Sequence, residues 1–544
     1  MRMLSWTLLV ACLTGLSSGA RILAFFPFAA TSHHILFEPL TRSLCERGHH
    51  VTYLSPNQFK GDVPNLEKIP FQDFWPPIQK TLFEKQENSS RTPYSTTSDL
   101  YDAMLELIDA SLRVQEVKDV LQSNRQYDAV LTESWFGQES TSVFAHRFNA
   151  LHIVISTFGG SAWVNEMSGL PDNPSYMYDL RYFKAEHPAN FFDRLYSLYI
   201  TAQMVFVPYW FTMTKAQSLV DELVRYPGWE NRPRLTMMAS DAALVLRNTH
   251  FTTGYPSPTA PHVKDVGGLN VDFDLDKKAQ LLDTPKYLKY KAFMDGSNDG
   301  FVYFSLGSIV KPDMMLPPGI FEKLYGAFSK LKINVLMRWS GTAKPKTPSP
   351  NILLYNEFLP QMEILAHKNI KAFMTHGGLL SICEAINFGV PLVGMPVFGD
   401  QPMNVKRAVN HGYGISLSIT NPHITESLIT TTLSKVLKNL SYKAEAMKRS
   451  ELFRDRMMRP VEESVYWIEY VLKHGKVLQP ASSLMPFYQV YLLDVIATTV
   501  VAFLLGLYVI KKSLCWTCSL MWGNKQKTQR QQKNQSTKKK SKKE

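Results

Sequence analysis

Short apolar runs alternate with amphipathic segments along most of the chain. The run RILAFFPF is followed by apolar positions at helical spacing from Ile35 to Cys45, by Gly48 as a predicted helix stop, and by a second run, HVTYLSP. Apolar runs of this length on either side of a helical period predict buried strands joined by a helix. Because such β-α-β units join parallel strands, the pattern predicts a parallel α/β sheet.

The same alternation occurs twice, and 544 residues exceed one ordinary core. Further strands are predicted at YDAVLTE, LHIVIST and AALVLRN, and a second series runs through GFVYFSLGS, INVLMRWS, NILLYNEF, IKAFMTH and VPLVGMP. We therefore expect an α/β protein with two Rossmann-like domains that face each other across a cleft. The N-terminal domain spans 21–275, a polar linker 276–299, and the C-terminal domain 300–475, whose last helix packs back.

Two apolar runs near the ends predict a single-pass membrane protein. Residues 1–20 have the layout of a signal peptide, with Arg2, an apolar run and small residues before a predicted cut after Ala20, although a buried first helix fits the same run. Residues 491–510 can span about 30 Å of hydrocarbon at about 1.5 Å per residue. Lys511 and Lys512 follow, and positive flanks stay cytoplasmic. This predicts a type I protein with its body in a lumen or outside.

The net charge of +12 comes mostly from the end of the chain. Residues 511–544 carry +10, which leaves only +2 for the rest. A nearly neutral body gives no indication of a basic nucleic-acid-binding domain, and the tail is interpreted as a basic cytoplasmic segment. Lys540 and Lys542 have the spacing of a signal for retrieval to the endoplasmic reticulum, so we expect the protein in that membrane.

Few cysteines fall in the predicted lumenal body. Cys45 and Cys383 are far apart, which excludes a disulfide framework but leaves one bridge open, and the pair Cys515 and Cys518 is too weak a pattern for a metal site. Glycosylation sequons occur at Asn88 and Asn439, and a third at Asn534 lies in the predicted tail.

Several polar residues follow predicted strands of the second series, where parallel sheets bind ligands. In MTHGG, His376 precedes Gly377 and Gly378 at the start of a helix, and small residues in SLGS, which ends at Ser308, follow another strand. Such turns hold anions through backbone N–H groups. Glu384 follows two turns later and suits ribose hydroxyls. Neither turn matches a phosphate-binding P-loop or a dinucleotide fingerprint, which disfavours a nicotinamide dinucleotide.

The segment FGDQPMN places Asp400 and Gln401 just before a predicted helix. Asp400 alone fits a helix N-cap and a ligand for sugar hydroxyls equally well. Gln401 beside it favours the ligand.

In the first domain, His33 and His34 follow the first strand and Glu133 ends another. A His at such a turn is a candidate general base that an acid could orient, although a structural His is the more common case.

The stretch from Phe358 to Asn404, with FSLGSIV, RGHHVTYLSP and VGGLN, resembles the UDP-glycosyltransferases, membrane-bound animal enzymes of the GT-B fold. The likeness covers nearly the whole chain, and its overall style looks like the arthropod branch. It implies inverting transfer of a sugar from a UDP-sugar to a small lipophilic acceptor, as in detoxification or in conjugation of hormones and pigments. The nucleotide would lie in the C-terminal domain and the acceptor in the N-terminal one.

The resemblance also assigns roles to residues of this sequence. His33 would be the catalytic base, with Glu133 as its acid partner. The donor-binding residues would be Gln361 at the uracil with Phe358 nearby, Ser308, His376, Gly377 and Gly378 near the diphosphate with Ser381 close by, Glu384 at the ribose, and Asp400 and Gln401 at the sugar.

Three positions depart from the family pattern. Phe358 replaces the usual Trp, and Glu133 stands where Asp is common, which puts its reach in question. Asn248 stands where glucuronate-using relatives carry Arg, with Arg247 one place away, which favours a neutral sugar such as glucose. We expect no metal and no cofactor, since the UDP-sugar is a co-substrate, and leave a homo-oligomer open.

Two other classes remain open. A non-catalytic membrane-anchored receptor or carrier of the same fold would bind lipophiles but lose donor residues, and this chain keeps His376, Glu384, Asp400 and Gln401. A soluble secreted glycosidase would use paired carboxylates, but the predicted anchor and phosphate-binding turns count against it. The aromatic-rich stretch Trp163–Trp229 predicts walls of an apolar acceptor pocket, though plain core or a membrane-facing patch fits it too.

Overall fold

The structure is a computed structural model that describes residues 19–88, 93–133, 137–177, 179, 181, 190–275 and 280–540. The predicted signal peptide lies outside these residues except for its last two positions. The chain divides into two units, a body that ends at Leu484 and a C-terminal segment that begins at Met485.

The first half of the body is built on a seven-stranded parallel sheet with the order β3-β2-β1-β4-β5-β6-β7. Chain order reverses at β1, which pairs with β2 on one side and β4 on the other. Such a reversal opens a crevice at the carboxyl ends of the two strands. The strands are β1 (Arg21–Phe25), β2 (His50–Leu54), β3 (Leu66–Ile69), β4 (Ala129–Thr132), β5 (Leu151–Ser156), β6 (Ala242–Arg247) and β7 (Val263–Asp265).

Helices cover both faces of this sheet. Along β1, Ile22 and Ala24 pack into one buried cluster, and Leu23 and Phe25 pack into another on the opposite face. Because both faces of the sheet are buried, its strands appear in the sequence as continuous apolar runs. The helices are α1 (Thr31–Glu46), α2 (Trp75–Asn88), α3 (Pro93–Arg113), α4 (Gln115–Gln122), α5 (Val143–Phe148), α6 (Ala162–Met167), α7 (Phe191–Val207), α8 (Met213–Leu223) and α9 (Leu235–Ser240).

The second half repeats the design with a six-stranded parallel sheet in the order β10-β9-β8-β11-β12-β13. Its reversal lies at β8, which pairs with β9 and β11. The strands are β8 (Phe301–Ser305), β9 (Asn334–Arg338), β10 (Ile352–Tyr355), β11 (Ile370–Thr375), β12 (Leu392–Gly394) and β13 (Gly414–Ser416). The helices of this half are α10 (Leu288–Asp295), α11 (Pro312–Met315), α12 (Ile320–Ser329), α13 (Gln361–Ala366), α14 (Leu379–Asn387), α15 (Gln401–Asn410), α16 (Glu426–Lys438), α17 (Ser441–Arg454) and α18 (Pro460–His474).

Most of the segment predicted as a linker packs on the second half instead of spanning freely. Tyr290 and Met294 of α10 are fully buried in a cluster with Tyr355 and Phe373. The polar composition of the segment gave no indication that these two side chains, which lie one helical turn apart, are buried. The short strands β3, β7 and β13 were also missed, because each has only three or four residues and no apolar run.

Helix α18 leaves the second half and packs on the first. Val465, Ile468 and Val471, at helical spacing, are fully buried in the cluster that also holds Leu36 and Leu40 of α1. The first half therefore completes its core with a helix from the far end of the body.

The C-terminal segment contains α19 (Phe487–Val490) and α20 (Leu493–Lys540). The helix α20 is long and apolar enough to cross a membrane, and none of its apolar window is buried in protein. It extends well past the span predicted to end at Ile510, through most of the predicted basic tail.

We predict that Ile468→Ala destabilises the body by about 2–5 kcal/mol, because it leaves a cavity in place of a fully buried side chain. Thermal unfolding of the full chain in detergent measures this. Tyr466→Ala, on the same helix but 45% exposed, serves as the control. Equal losses in the two variants would contradict the packing of α18 described above.

Candidate functional site

A cavity of about 910 Å3 lies between the carboxyl ends of the two sheets. Its lining includes residues that follow β1 and β8, where chain order reverses, and β11, which pairs with β8, so the topology of the sheets determines the position of the cavity. Ten of the twelve predicted site residues line it: His33, Ser308, Phe358, Gln361, His376, Gly378, Ser381, Glu384, Asp400 and Gln401. Glu133 and Gly377 lie next to lining residues.

On the first side, His33 pairs with Glu133. His33 lies in the first turn of α1, and Glu133 follows β4 directly. The imidazole Nδ1 is 2.7 Å from Glu133 Oε1 and 2.9 Å from Oε2, and Thr157 Oγ1 donates to Oε1 at 2.7 Å. The longer Glu side chain therefore reaches the ring, the point that its departure from Asp had put in question.

The pairing fixes the tautomer of the ring. A carboxylate accepts hydrogen bonds, so Nδ1 carries the proton and Nε2 keeps its lone pair. The rings of Phe28 and Phe158 meet the imidazole edge-on at 4.7 and 5.9 Å between centroids. His34 is turned away, since its Nδ1 lies 3.0 Å from Tyr53 Oη, and it does not line the cavity.

On the second side, two glycine-containing turns pack against His376. A Cβ built on Gly307 would lie 2.5 Å from the imidazole Cε1, and one on Gly378 would lie 2.6 Å from Nε2, so a larger residue at either place would displace the His376 ring. Burial lowers the pKa of His376 to about 4, which leaves the ring neutral at pH 7 with one N–H to donate. Gly377 has a positive φ of 83° and shapes the turn without lining the cavity.

Glu384 is held by two amides. Gln361 Nε2 donates to its Oε2 at 2.7 Å, and Asn270 Nδ2 donates to its Oε1 at 2.9 Å. Gln361 also donates to Ser381 Oγ at 3.1 Å. Burial raises the pKa of Glu384 to about 7 despite these hydrogen bonds. The carboxyl group thus faces the cavity with acceptor capacity left over.

Asp400 does not cap the helix that it precedes. Its side chain makes no hydrogen bond to the backbone of α15 and accepts instead from Asn404 Nδ2 at 2.6 Å. Burial raises the pKa of Asp400 to about 6. The amide oxygen of Gln401 accepts from the backbone N–H groups of Val397 and Phe398, so this residue also braces the loop. The alternative of a plain N-cap for Asp400 is therefore excluded.

Phe358 presents an open aromatic face to the cavity. The ring is 60% exposed, and the guanidinium of Arg338 lies 4.0 Å from its centroid. Arg338 is itself fixed, because it donates to the carbonyl oxygens of Gly307 and Glu357. Arg338 was not among the predicted site residues, although its place at the end of β9, beside the SLGS turn, would have indicated it.

The apolar part of the cavity comes from elements other than those predicted. Its walls include Trp75, Leu82, Leu100 and Met104 of α2 and α3. Of the described residues in Trp163–Trp229, only Arg181 lines the cavity. The described part of this stretch therefore does not form the predicted apolar walls, because aromatic composition does not say which face a helix buries.

That stretch divides between core and surface. Trp163 is buried, and its indole N–H donates to the buried Glu139 at 2.7 Å. Helix α7 and the π-helical turn Pro208–Thr212 instead expose large side chains, among them Phe192 and Trp210.

Arg247 and Asn248 both lie outside the cavity. Arg247 pairs with Asp265 at 2.8 Å and donates to Asn165, while Asn248 donates to the Thr157 carbonyl and accepts from the Gly268 N–H. Neither residue offers a cation to a ligand in the cavity.

Three smaller predictions concern cysteine, metal and glycan sites. Cys45 and Cys383 are buried free thiols in different halves of the body. Over the described ranges, no cluster of His, Cys, Asp and Glu could hold a metal ion. Asn439 is exposed at the end of α16, whereas the side chain of Asn88 lies outside the described part of the chain.

The chain resembles known proteins over most of its length. A family model described as UDP-glucoronosyl and UDP-glucosyl transferase matches residues 22–528. The UDP-glycosyltransferase UGT5 of Dactylopius coccus is 30% identical, over 92% of this chain and 94% of that protein. The UDP-glucuronosyltransferase 1-2 of Rattus norvegicus is 28% identical over 98% of each.

Among solved structures, LpCGTa in complex with UDP matches with a TM-score of 0.52 at 15% identity, over 84% of this chain and all of that one. At this identity the likeness shows the fold alone, and it confirms the predicted GT-B architecture of two facing Rossmann-like domains.

We predict that Glu384 makes the body less stable as the pH rises from about 5 to about 7.5. Its folded pKa of about 7 exceeds the value of about 4.3 in an unfolded chain. The stabilisation from this group is therefore complete below the unfolded pKa and is lost as the pH rises through the folded one. Melting temperatures of the wild type and Glu384→Gln across this window measure it.

The variant cannot titrate at this position, so its melting temperature should fall less with pH than that of the wild type. Asp400 shifts in the same direction, so some dependence should remain. Glu322→Gln, at an exposed residue of α12 that does not line the cavity, should keep the wild-type slope. Parallel curves for Glu384→Gln and the wild type would contradict the prediction.

Proposed function

The chain belongs to the UDP-glucuronosyl and UDP-glucosyl transferase family, which transfers a sugar from a UDP-sugar to an acceptor, and from this premise we propose that it moves a neutral hexose, glucose first, to a hydroxyl of a small lipophilic acceptor with His33 as general base. The observation that carries the proposal is the His33–Glu133 pair at the cavity between the halves. The UDP-sugar is a co-substrate, and the proposed reaction uses no cofactor or metal.

In the proposed transfer, Nε2 of His33 accepts the proton of the acceptor hydroxyl as its oxygen bonds to the anomeric carbon. An alcohol has a pKa far above 7, so a base near its proton lowers the barrier. The carboxylate of Glu133 stabilises the imidazolium that forms. The bond from the anomeric carbon to the UDP oxygen breaks on the opposite side, and the anomeric centre inverts.

The second half holds the departing nucleotide. We assign the diphosphate to the turns around Ser308 and Gly378 and to the N–H of the neutral His376. Backbone N–H groups at such turns stabilise the negative charge that develops on UDP. Phe358, backed by Arg338, offers a stacking face for the uracil beside Gln361, and Glu384 accepts from the ribose.

The charged side chains near the proposed sugar site at Asp400 and Gln401 favour a neutral sugar. The position that carries Arg in glucuronate-using relatives is Asn248 here, and Asn248 and Arg247 are both occupied outside the cavity. Arg181 does line the cavity and interacts electrostatically with Asp179 and Asp400. Two carboxylates beside Arg181 offset its charge, which leaves less attraction for a sugar acid.

The acceptor is proposed to be lipophilic because the first half contributes mostly apolar walls around His33. Trp75, Leu82, Leu100, Met104 and Phe158 give a pocket suited to a flat or compact apolar molecule with one reactive hydroxyl. Conjugation in detoxification or of hormones and pigments is the class of role that this chemistry serves.

We place the protein in the endoplasmic reticulum membrane as a single-pass type I protein. Helix α20 supplies an apolar span, and the basic residues that follow it favour a cytosolic tail. The body, with the exposed sequon at Asn439, would then face the lumen.

A non-catalytic lipophile carrier of the same fold is the alternative. It would keep the apolar pocket but have no use for a paired His33 or for a built nucleotide site. The geometry of both argues for the enzyme.

We predict that His33→Ala lowers the rate of transfer from UDP-glucose by about 10²–10⁴-fold, the usual contribution of a general base. UDP affinity should stay within about twofold, since no donor residue is altered. Product formation with a panel of phenols and steroids, and calorimetric titration of UDP, measure the two quantities. His34→Ala is the matched control: it alters the neighbouring residue, which does not line the cavity, and should keep turnover.

Unchanged turnover in His33→Ala would reject the base assignment. Failure of the wild type to bind UDP would favour the carrier. In the same assay UDP-glucose should be used faster than UDP-glucuronate, and the reverse order would reject the neutral sugar.

We predict that Asn439→Gln removes one glycan and that Asn534→Gln removes none. Asn439 lies in the proposed lumenal body and Asn534 in the proposed cytosolic tail. Gel mobility of the membrane-bound protein before and after enzymatic removal of N-glycans measures the change. A glycan on Asn534 would overturn the proposed topology.

A further inference from the structure

Asn270 lies where the chain passes from the first half to the second. The residue before it, Leu269, packs in the core of the first half, and the residue after it, Val271, packs in the core of the second. Because Leu269 and Val271 are buried in different cores, they fix the backbone at Asn270 from both sides. Asn270 itself is only 5% exposed and lines the cavity.

The side chain of Asn270 is committed to the second half. Its Nδ2 donates to Glu384 Oε1 at 2.9 Å and to the Leu380 carbonyl oxygen at 3.4 Å. Both N–H bonds of the amide are therefore aimed at α14, the helix that carries Glu384. Because the amide oxygen would repel a carboxylate, this orientation of the side chain is the one that satisfies Glu384.

This contact acts on the oxygen that Gln361 does not reach. Gln361 donates to Oε2, so the two amides grip one oxygen each. Each carboxylate oxygen accepts about two hydrogen bonds, which leaves one position on each for a further donor. The remaining positions match in number the two neighbouring hydroxyls of a ribose.

The hydrogen bond from Asn270 also offsets part of the free energy that it costs to bury the Glu384 carboxylate in its ionised form. Burial favours the protonated form of Glu384, and the hydrogen bonds from Gln361 and Asn270 favour the ionised form. An ionised carboxylate accepts from a hydroxyl more strongly than a protonated one does.

We propose that Asn270 is a positioning residue of the donor site, which reaches across the junction of the halves and holds the Glu384 carboxylate ready for the ribose hydroxyls. The inference rests on the proposed binding of a UDP-sugar at this cavity. It adds that the first half, which carries the acceptor pocket, also sets the affinity for the nucleotide.

The test measures the affinity of the full chain for UDP and for the analogue of UDP that lacks both ribose hydroxyls. Asn270→Ala should weaken UDP binding by about tenfold, as expected for one charge-assisted hydrogen bond, and should leave binding of the dideoxy analogue nearly unchanged. Asn270→Leu, which keeps the volume but cannot donate, should behave alike and guards against an effect of the small cavity that alanine leaves.

The pH dependence gives an independent readout. UDP binding should strengthen as Glu384 ionises, and the midpoint of this change should move to higher pH in Asn270→Ala because one hydrogen bond to the charged form is lost. The terminal phosphate of UDP titrates equally with both proteins, so it does not contribute to the difference.

Asn334→Ala is the control, since this amide donates to Ser297 Oγ at 2.8 Å and does not line the cavity. It should leave both affinities and the midpoint unchanged. If Asn270→Ala weakens UDP and the dideoxy analogue equally and leaves the midpoint in place, the residue is merely structural and the proposal is rejected. Absence of UDP binding by the wild type would instead reject the proposed function itself.

Discussion

The reversal of strand order in each sheet is the constraint on which the rest of the structure depends. At β1 and at β8 the chain turns from building one side of the sheet to building the other, which opens a crevice at the carboxyl ends of the strands. Each half thus has one crevice, and the body joins the two into a single cavity. His33 and Glu133 meet because they follow the two strands that flank the first crevice.

Burial shifts three ionisable side chains of the site towards their neutral forms. His376 is kept neutral by burial, and the pKa values of Glu384 and Asp400 are raised towards neutrality. A pocket of this kind binds through directed hydrogen bonds more than through net charge. This suits the charged diphosphate of a UDP-sugar, because the neutral His376 and backbone N–H groups donate to it, while Gln361 and Asn270 hold Glu384 for the uncharged ribose hydroxyls.

Much of this arrangement follows from local sequence, and the remainder does not. Apolar runs and glycine turns indicated the longer strands and the turns at His376 and Ser308, since both signals lie within a few residues. Asn270 and Arg338 were missed because their contacts join segments far apart in the chain. The burial of Tyr290 and Met294 and the exposure of Phe192 and Trp210 could not be predicted from composition, because burial depends on which neighbours a helix contacts.

Helix α18 is synthesised long after the strands and helices of the first half on which it packs. The ribosome releases β1 and α1 first, yet the surface that Val465, Ile468 and Val471 cover stays open until almost the whole body has emerged. Contacts of such long sequence separation form late and slowly. For most of translation the first half therefore presents an uncovered apolar groove, which makes the nascent chain a client for chaperones before it is an enzyme.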